Sequence, residues 1–226
     1  MLDLIQRWRR RTRGRRSAAS LRHKFLDMQP EIGPDLFIEV GAYDGSTSLA
    51  ARRRLPHARV VAFEAHPTNH LRFSKELQHS ASGVEYVHSA IADSVGNRPF
   101  RIILGSDDNQ DMRSSLLGRT ESKWEQIELS VPCTTLDEFF ADRMPSRCCL
   151  WVDVEGASRE VLLGASNILS VTEAILIEVE DRPFWHGQWL AEDVRKYLAL
   201  FDLRTDGRDF EYRQQHNELF RRCSAK

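Results

Sequence analysis

Two carboxylates, Asp153 and Glu155, are the first candidates for chemistry because they directly follow a buried-type apolar run. They stand in the segment WVDVEG (151–156), and the run before it predicts a strand covered on both faces. Alternate positions of extended backbone lie on one side, so the two acids would face the same space. They could act as general base, as ligands of a divalent metal (Asp153 first), or as acceptors for a substrate hydroxyl. The structural alternative is an acid that caps a helix or pairs with an arginine.

A glycine-containing turn follows the first predicted strand, Leu36–Val40. Gly41 and Gly45 allow a ligand to approach the backbone closely, and ligands of doubly wound sheets bind at this end of the strands. The spacing G-x-x-x-G matches neither the dinucleotide fingerprint nor the Walker loop. Glu39, just before the first glycine, would repel a pyrophosphate and favours a cationic ligand with an amino group.

The second predicted strand also ends on an acid, in the segment FEAHP (63–67). Glu64 at this position could accept hydrogen bonds from both hydroxyls of a ribose. The alternative is a charge that favours the start of the next helix through the helix dipole. The two strand-end motifs in register indicate a cofactor site more strongly than either does alone.

His66 and His186 are further candidates for a base, although a lone histidine is more often structural. The polar stretch from Asp107 to Leu116 predicts a lid over the site, with an ordinary surface loop as the alternative. Ser114 and Ser115, in that stretch, and Trp185 are the candidate substrate contacts. The chain has no G-x-S-x-G context for a Ser-His-Asp triad.

The elements that position these residues alternate between strand and helix. This order predicts an α/β fold with a mostly parallel sheet, helices on both faces and an antiparallel edge at the C-terminus. The predicted strands are 36–40, 59–63, 84–88, 99–104, 127–131, 148–154, 174–179 and two in 203–223; the predicted helices are 46–54, 68–79, 135–141, 158–169 and 191–201.

Charge is distributed unevenly along the 226 residues, whose net charge is only −1. Residues 1–24 hold eight arginines and Lys24 against Asp3, and the other 202 residues carry −9. We therefore expect a basic N-terminal tail, 1–20, and one domain, 21–226. The tail is either a basic amphipathic helix that contacts an anionic membrane or an acidic partner, or a solvated terminus resting on the domain edge.

The sequence predicts a soluble, cytoplasmic protein that could be peripheral at a membrane through its tail. No apolar run approaches the roughly 18 residues that cross a bilayer, and no apolar stretch follows the N-terminal arginines as in a secretory signal. The four cysteines form no CxxC pair and no ligand pattern with histidine, which favours a reducing compartment.

Several segments together resemble the FkbM-type methyltransferases, which depend on S-adenosylmethionine. They are FIEVGAYDGSTSLAA (37–51), VVAFEAHP (60–67), AIAD (90–93), SSL (114–116), TLD (135–137), VDVEGASREVLLGA (152–165) and NELF (217–220). The resemblance covers about residues 36–222. The chain departs from the family in having Ala65 where a proline is usual and Trp151 where a lysine is usual, which puts substrate choice in question.

The resemblance implies a seven-stranded Rossmann-like sheet, the class I methyltransferase fold, with a reversed terminal strand. It implies that the loop after the first strand wraps the methionine part of the cofactor, that Glu64 holds the ribose and that Ala90 and Ile91 border the adenine. The implied cofactor residues are Glu39, Gly41, Ala42, Tyr43, Gly45, Thr47, Glu64, Ala65, Ala90, Ile91 and Asp93. O-methylation of a hydroxyl on a sugar-containing or polyketide-like acceptor is the implied reaction.

Two other functions stay open from the sequence. In one, the chain is a nucleotide-binding module without catalysis, because Trp151 replaces a needed lysine. In the other, it is an RNA methyltransferase that anchors phosphates with its Arg-rich tail, although the acidic body counts against nucleic acid as a partner. The sequence indicates a small-molecule or glycan acceptor and leaves the metal requirement and the oligomeric state open.

Overall fold

The computed structural model describes residues 2–78, 82–104, 114–121, 125–209 and 214–223. Within them, seven strands form the main sheet in the order β3-β2-β1-β7-β8-β10-β9, and three form a second sheet, β4-β6-β5. The elements are α1 (Leu2–Ile32), β1 (Leu36–Val40), α2 (Ser46–Arg54), β2 (Arg59–Glu64), α3 (Pro67–Gln78), β3 (Val84–His88), β4 (Ala90–Ile91), β5 (Gly96–Leu104), β6 (Glu125–Thr134), α4 (Leu136–Phe139), β7 (Cys148–Val152), α5 (Ser158–Leu163), α6 (Ser166–Ser170), β8 (Thr172–Glu180), α7 (Ala191–Ala199), β9 (Leu203–Arg208) and β10 (Gln215–Arg222).

The main sheet confirms the predicted fold class. Strands β1, β2, β3, β7 and β8 pair in parallel, and β10 runs antiparallel to β8. In the central register, Val40 at the end of β1 lies opposite Phe63 of β2 and Val152 of β7. The loops that begin at Gly41, Ala65 and Asp153 therefore leave the sheet side by side at one edge.

Apolar residues at both odd and even positions explain why the central strands are covered on two faces. Ile38 and Leu150 belong to the core cluster that also contains Val161 of α5 and Val194 of α7. Phe37, one position away, belongs to the cluster on the opposite face. Successive side chains of a strand point to opposite faces, so both helix layers pack on the same five residues of β1.

Helix α1 covers the second face and crosses the predicted boundary between residues 20 and 21. Phe25 is fully buried, with its ring centroid 6.2 Å from that of Phe37 and 5.9 Å from that of Trp151. Leu21 and Leu26 belong to the same cluster. The C-terminal half of α1 is thus part of the core of the domain. No helix among the described residues is long and apolar enough to cross a membrane.

The second sheet was only partly predicted. Two of its strands were placed within shorter bounds, and the parallel pairing of Ala90–Ile91 with β6 was missed because two residues give no periodicity. The predicted helix 158–169 is two helices, α5 and α6. The carboxylate of Asp137 accepts hydrogen bonds from the amides of Asn167 (2.9 and 3.0 Å) and Ile168 (3.0 Å), so it caps a new helix start there.

We predict that Gly41→Ala lowers the free energy of unfolding by much more than the cost of placing an alanine in left-handed backbone. The φ angle of Gly41 is +85°, and a Cβ there would lie 1.8 Å from the carbonyl oxygen of Asp153. Gly187 has a similar φ of +77° with nothing within 4 Å of its Cβ position, so Gly187→Ala should cost only the roughly 1–2 kcal/mol of left-handed backbone. Urea unfolding of both variants measures the difference; equal losses would contradict the close approach.

Candidate active site

A cavity of about 470 Å³ opens at the carboxyl edge of β1, β2 and β7. Its walls come from the loops after these strands, from the start of the second sheet and from the segment 114–116. This is the place where the sequence predicted a ligand site. The size is that of a site for a small molecule rather than a groove for a macromolecule.

The loop after β1 contributes Gly41 and Tyr43 to the wall. The amides of Gly41 and Ala42 both donate to the carbonyl oxygen of Phe63, at 3.0 and 2.9 Å, which binds the loop to the end of β2. Three further candidates in this loop are buried and do not line the cavity: Ala42, Gly45 and Thr47. The structure therefore presents the backbone near Gly41, rather than the whole loop, to a ligand.

Glu39 is buried and lies behind the loop, outside the described wall. Its Oε2 accepts hydrogen bonds from the amide of Ser48, at 2.8 Å, and from the Ser48 hydroxyl. Gly45, the residue before α2, has no side chain to cap this helix, so Glu39 supplies the cap from the preceding strand. Burial raises the pKa of Glu39 to about 7, against the opposing effect of these hydrogen bonds. Its contact with a ligand amino group stays a prediction.

Glu64 lies on the wall, nearly buried, and joins two loops. Its Oε2 accepts a hydrogen bond from the amide of Tyr43 and its Oε1 accepts one from the amide of His66, both at 2.7 Å. Burial raises its pKa to about 7, although these hydrogen bonds favour the charged form. The side chain of Asn69 donates a third hydrogen bond to this carboxylate, which leaves about one acceptor position for a ligand in the cavity.

Across the cavity, the chain after β3 contributes Ser89, Ala90 and Ile91. Phe100 of β5 closes this side with its ring. Asp93 lies outside the described wall and forms an ion pair with Arg98 instead. The predicted adenine-side residues are thus separated: Ala90 and Ile91 face the cavity and Asp93 faces an arginine.

Acidic side chains from two neighbouring strands converge at the other end of the cavity. Asp153, Glu155 and Glu178 line it, and Glu180 is fully buried, where it accepts a hydrogen bond from Nε2 of Gln188 at 2.9 Å. Burial raises the pKa of Asp153 to about 6. The pKa of Glu178 is raised further, by burial and then by the charges of the other three acids.

Glu178 and Asn69 are wall residues that the candidate sites did not include. Glu178 carries the same signal as Asp153, an acid at the end of an apolar run, and that signal could have found it. Asn69 lies in α3 and its side chain is hydrogen-bonded to Glu64. A polar residue inside a predicted helix gives no sequence signal for such a role.

The two histidines lie outside the described wall. His66 is buried, and its Nδ1 accepts hydrogen bonds from the amides of Thr68 (3.2 Å) and Asn69 (3.4 Å), at the start of α3. His186 is exposed, and its amide donates to the carbonyl oxygen of Gly118 at 2.8 Å. The candidate bases at the acidic end of the cavity are therefore carboxylates rather than histidines. They are Asp153, Glu155 and Glu178 on the wall, with Glu180 buried beside them.

The segment 114–121 crosses the acidic end and is held there by several contacts. Ser114 and Leu116 line the cavity, whereas the hydroxyl of Ser115 donates to the carbonyl oxygen of Glu155 at 2.7 Å. Arg119 lies 4.3 Å from the ring centroid of Trp185 and 3.8 Å from a carboxylate oxygen of Glu155. Of the predicted lid, Asp107 to Leu116, residues 107–113 lie outside the described residues.

Trp185 supports the acid loop from behind rather than lining the cavity. It is 2% exposed, and a Cβ at Gly156 would lie 2.1 Å from its Cδ1. The residue after Glu155 must therefore be a glycine for the indole to pack there. Among the described residues, no group of three or more His, Cys, Asp or Glu side chains is arranged to hold a metal ion.

The sequence matches the FkbM methyltransferase domain over residues 39–213. The protein belongs to this methyltransferase family. Methyl transfer in the family depends on S-adenosylmethionine, so the chain is an S-adenosylmethionine-dependent methyltransferase. The resemblance seen in the sequence is confirmed.

This FkbM methyltransferase is 25% identical over 214 residues to the 2-O-methyltransferase NoeI of Sinorhizobium fredii (strain NBRC 101917 / NGR234); the match covers 90% of this chain and 88% of NoeI. Its fold is similar to that of the magnesium protoporphyrin IX methyltransferase ChlM of Synechocystis PCC 6803 with bound SAM (TM-score 0.52, 11% identity, 94% of this chain and 81% of ChlM). It is also similar to that of a precorrin-6y C5,15-methyltransferase of Geobacter metallireducens GS-15 (TM-score 0.50, 12% identity, 91% and 88%). At these identities the two structures support the fold alone.

We predict that Glu64→Ala weakens the binding of S-adenosylhomocysteine at least about tenfold, because a carboxylate that binds ligand hydroxyls contributes about 1.5–3 kcal/mol. Isothermal titration measures the affinity, and a melting curve shows whether the variant is folded. Glu85→Ala is the matched control, since Glu85 is exposed on the neighbouring strand β3. Equal affinities for the wild type and Glu64→Ala would remove Glu64 from the cofactor site.

Proposed function

We propose that this methyltransferase transfers the methyl group to a hydroxyl oxygen of a sugar-containing or polyketide-like natural-product acceptor. The observation that carries the proposal is the position of Asp153, a carboxylate on the cavity wall with a pKa raised to about 6. The similarity to a 2-O-methyltransferase over nearly the whole length of both chains supports the same reaction class.

The described cavity residues fit S-adenosylmethionine. One continuous wall contains Gly41 and Tyr43, the carboxylate of Glu64 and the apolar surface at Ala90, Ile91 and Phe100. Gly41 and Tyr43 would hold the methionine part, Glu64 the ribose hydroxyls and the apolar surface the adenine. When bound, the cofactor supplies a methyl group on a positively charged sulfur.

Asp153 is suited to the role of general base. An alcohol is a weak nucleophile until its proton is removed, and a base works best when its pKa lies near the working pH. Burial moves the pKa of Asp153 upward, to about 6, so the carboxylate is mainly ionised at pH 7 yet more basic than an exposed aspartate. In the proposed reaction Asp153 would take the hydroxyl proton as the hydroxyl oxygen gains the methyl group, the S–CH3 bond breaks and neutral S-adenosylhomocysteine leaves.

The charge of the wall favours a neutral or cationic acceptor over a phosphate-rich one. The described lining residues include the acids Glu64, Asp153, Glu155 and Glu178 and no Lys, Arg or His. A phosphate or carboxylate group in this space would be repelled by like charges. The acidic wall therefore supports a sugar or polyketide acceptor and argues against the RNA methyltransferase alternative.

We predict that Asp153→Asn lowers kcat at least about a hundredfold, the low end of what a positioned base contributes. Binding of S-adenosylhomocysteine should stay unchanged, because the amide of Asp153, which donates to Val40, is kept in the variant. Turnover is measured with an acceptor found by screening hydroxylated sugars and polyketides with labelled cofactor. Asp142→Asn is the matched control, because Asp142 is exposed in the short 3-10 helix Ala141–Arg143. Full turnover in Asp153→Asn would sink the assignment of the base.

We also predict that kcat of the wild type rises with pH around pH 6. Below its raised pKa of about 6, Asp153 is protonated and cannot accept the hydroxyl proton, so activity is lost on the acid side. A pH–rate profile from pH 5 to pH 8 measures the effect. The residual activity of Asp153→Asn should lack this step, and a step that persists in the variant would belong to another group.

A further inference from the structure

The N-terminal end of α1 has a composition unlike that of the rest of the chain. Seven arginines lie within residues 7–16, and no acidic residue occurs between Asp3 and Asp27. The residues after Lys24 carry a net charge of −9. The positive charge is therefore concentrated in one short segment of an otherwise acidic molecule.

This segment is continuous with a helix that is fixed to the domain. Helix α1 is one helix of 31 residues, Leu2–Ile32. Its C-terminal half is held by the buried residues Leu21, Phe25 and Leu26 and by an ion pair between Lys24 and Asp206, at 2.9 Å. Residues 2–16 add about 22 Å of helix before this anchored part. A ligand of the basic segment is thus bound to the catalytic domain through a helix rather than through a flexible linker.

The apolar residues of the segment decide between possible anionic ligands. Leu2, Leu4, Ile5 and Trp8 precede and enter the arginine run. A nucleic acid or an acidic protein needs the positive charges but not four large apolar side chains. Helices that lie in a membrane interface combine both, with Trp, Leu or Ile for the acyl region and Arg for the lipid phosphates.

We propose that residues 2–16 bind the surface of a membrane rich in anionic phospholipids and so hold the methyltransferase at that surface. The arginines contact lipid phosphates and the apolar residues enter the headgroup boundary. The acidic body is repelled by the same surface, so binding depends on this segment. The proposal concerns where the enzyme is held and stands independently of the acceptor that it methylates.

The test is sedimentation of the purified 226-residue protein with two kinds of vesicle, phosphatidylcholine alone and phosphatidylcholine mixed with phosphatidylglycerol. Strong pelleting with the mixed vesicles, and little with the neutral ones, is the expected result. Rising NaCl should release the protein, because the attraction falls with screening. Equal pelleting with both vesicles, or none with either, would overturn the proposal.

Two matched variants test whether binding depends on the arginines of the tail or only on the total positive charge of the protein. The tail variant combines Arg7→Gln, Arg9→Gln, Arg10→Gln and Arg11→Gln. It should bind the mixed vesicles at least about a hundredfold more weakly, because each of the four substitutions removes a basic residue near the membrane surface. The body variant removes the same number of charges at exposed positions of the domain, by Arg53→Gln, Arg143→Gln, Arg208→Gln and Arg221→Gln. It should bind like the wild type, and equal effects of the two variants would refute a tail-specific site.

A third variant distinguishes a membrane from another polyanion. Ile5→Ser combined with Trp8→Ser should weaken vesicle binding at least about tenfold and leave retention on heparin unchanged. Unchanged vesicle binding in this variant would indicate a purely electrostatic polyanion site and would contradict the membrane proposal. Titration with S-adenosylhomocysteine shows in each case that the domain remains folded.

Discussion

The close approach of two loops at the carboxyl edge of the sheet is the constraint on which the site depends. Gly41 lies so near the carbonyl oxygen of Asp153 that a single added carbon would lie 1.8 Å from it. Because β1 pairs in register with both β2 and β7, this contact places the glycine loop, Glu64 and the acids after β7 around one cavity. The in-register pairing brings the two loops to the same edge, and the absence of a side chain at Gly41 lets its backbone approach Asp153.

The site concentrates negative charge where burial makes charge expensive. Asp153, Glu64 and Glu178 all have pKa values raised above those of exposed carboxylates, with burial as the largest cause. Such an arrangement opposes full ionisation of the folded protein and is retained at functional sites more often than elsewhere. A positively charged ligand would stabilise the ionised carboxylates. The same burial raises their pKa values toward neutral pH, where a carboxylate can accept a proton from a substrate.

Helix α1 connects the site to the outer surface of the protein. Phe25 packs on Phe37 of β1 and on Trp151 of β7, the two strands whose loops form the cavity. Trp151 stands where the family usually has a lysine, and here its half-buried ring serves the contact with α1. The helix that carries the basic segment is thus packed directly on the strands that position the acids of the cavity wall.

The sequence by itself determined the strands, the mostly parallel sheet and the family, because apolar runs, strand-end acids and glycines are local patterns. Tertiary structure alone decided which acids face the cavity. Glu39 and Glu64 both lie at or near a strand end, yet Glu39 shares the face of Phe37 and caps α2, while Glu64 reaches the cavity wall. His186 and Asp93 have partners away from the wall, and His66 lies behind it, against Asn69 and Phe100. Whether a side chain faces the cavity depends on which face of the sheet its position points to. It also depends on which distant segments, such as β5 and 114–121, pack there. The few residues around the side chain do not specify either.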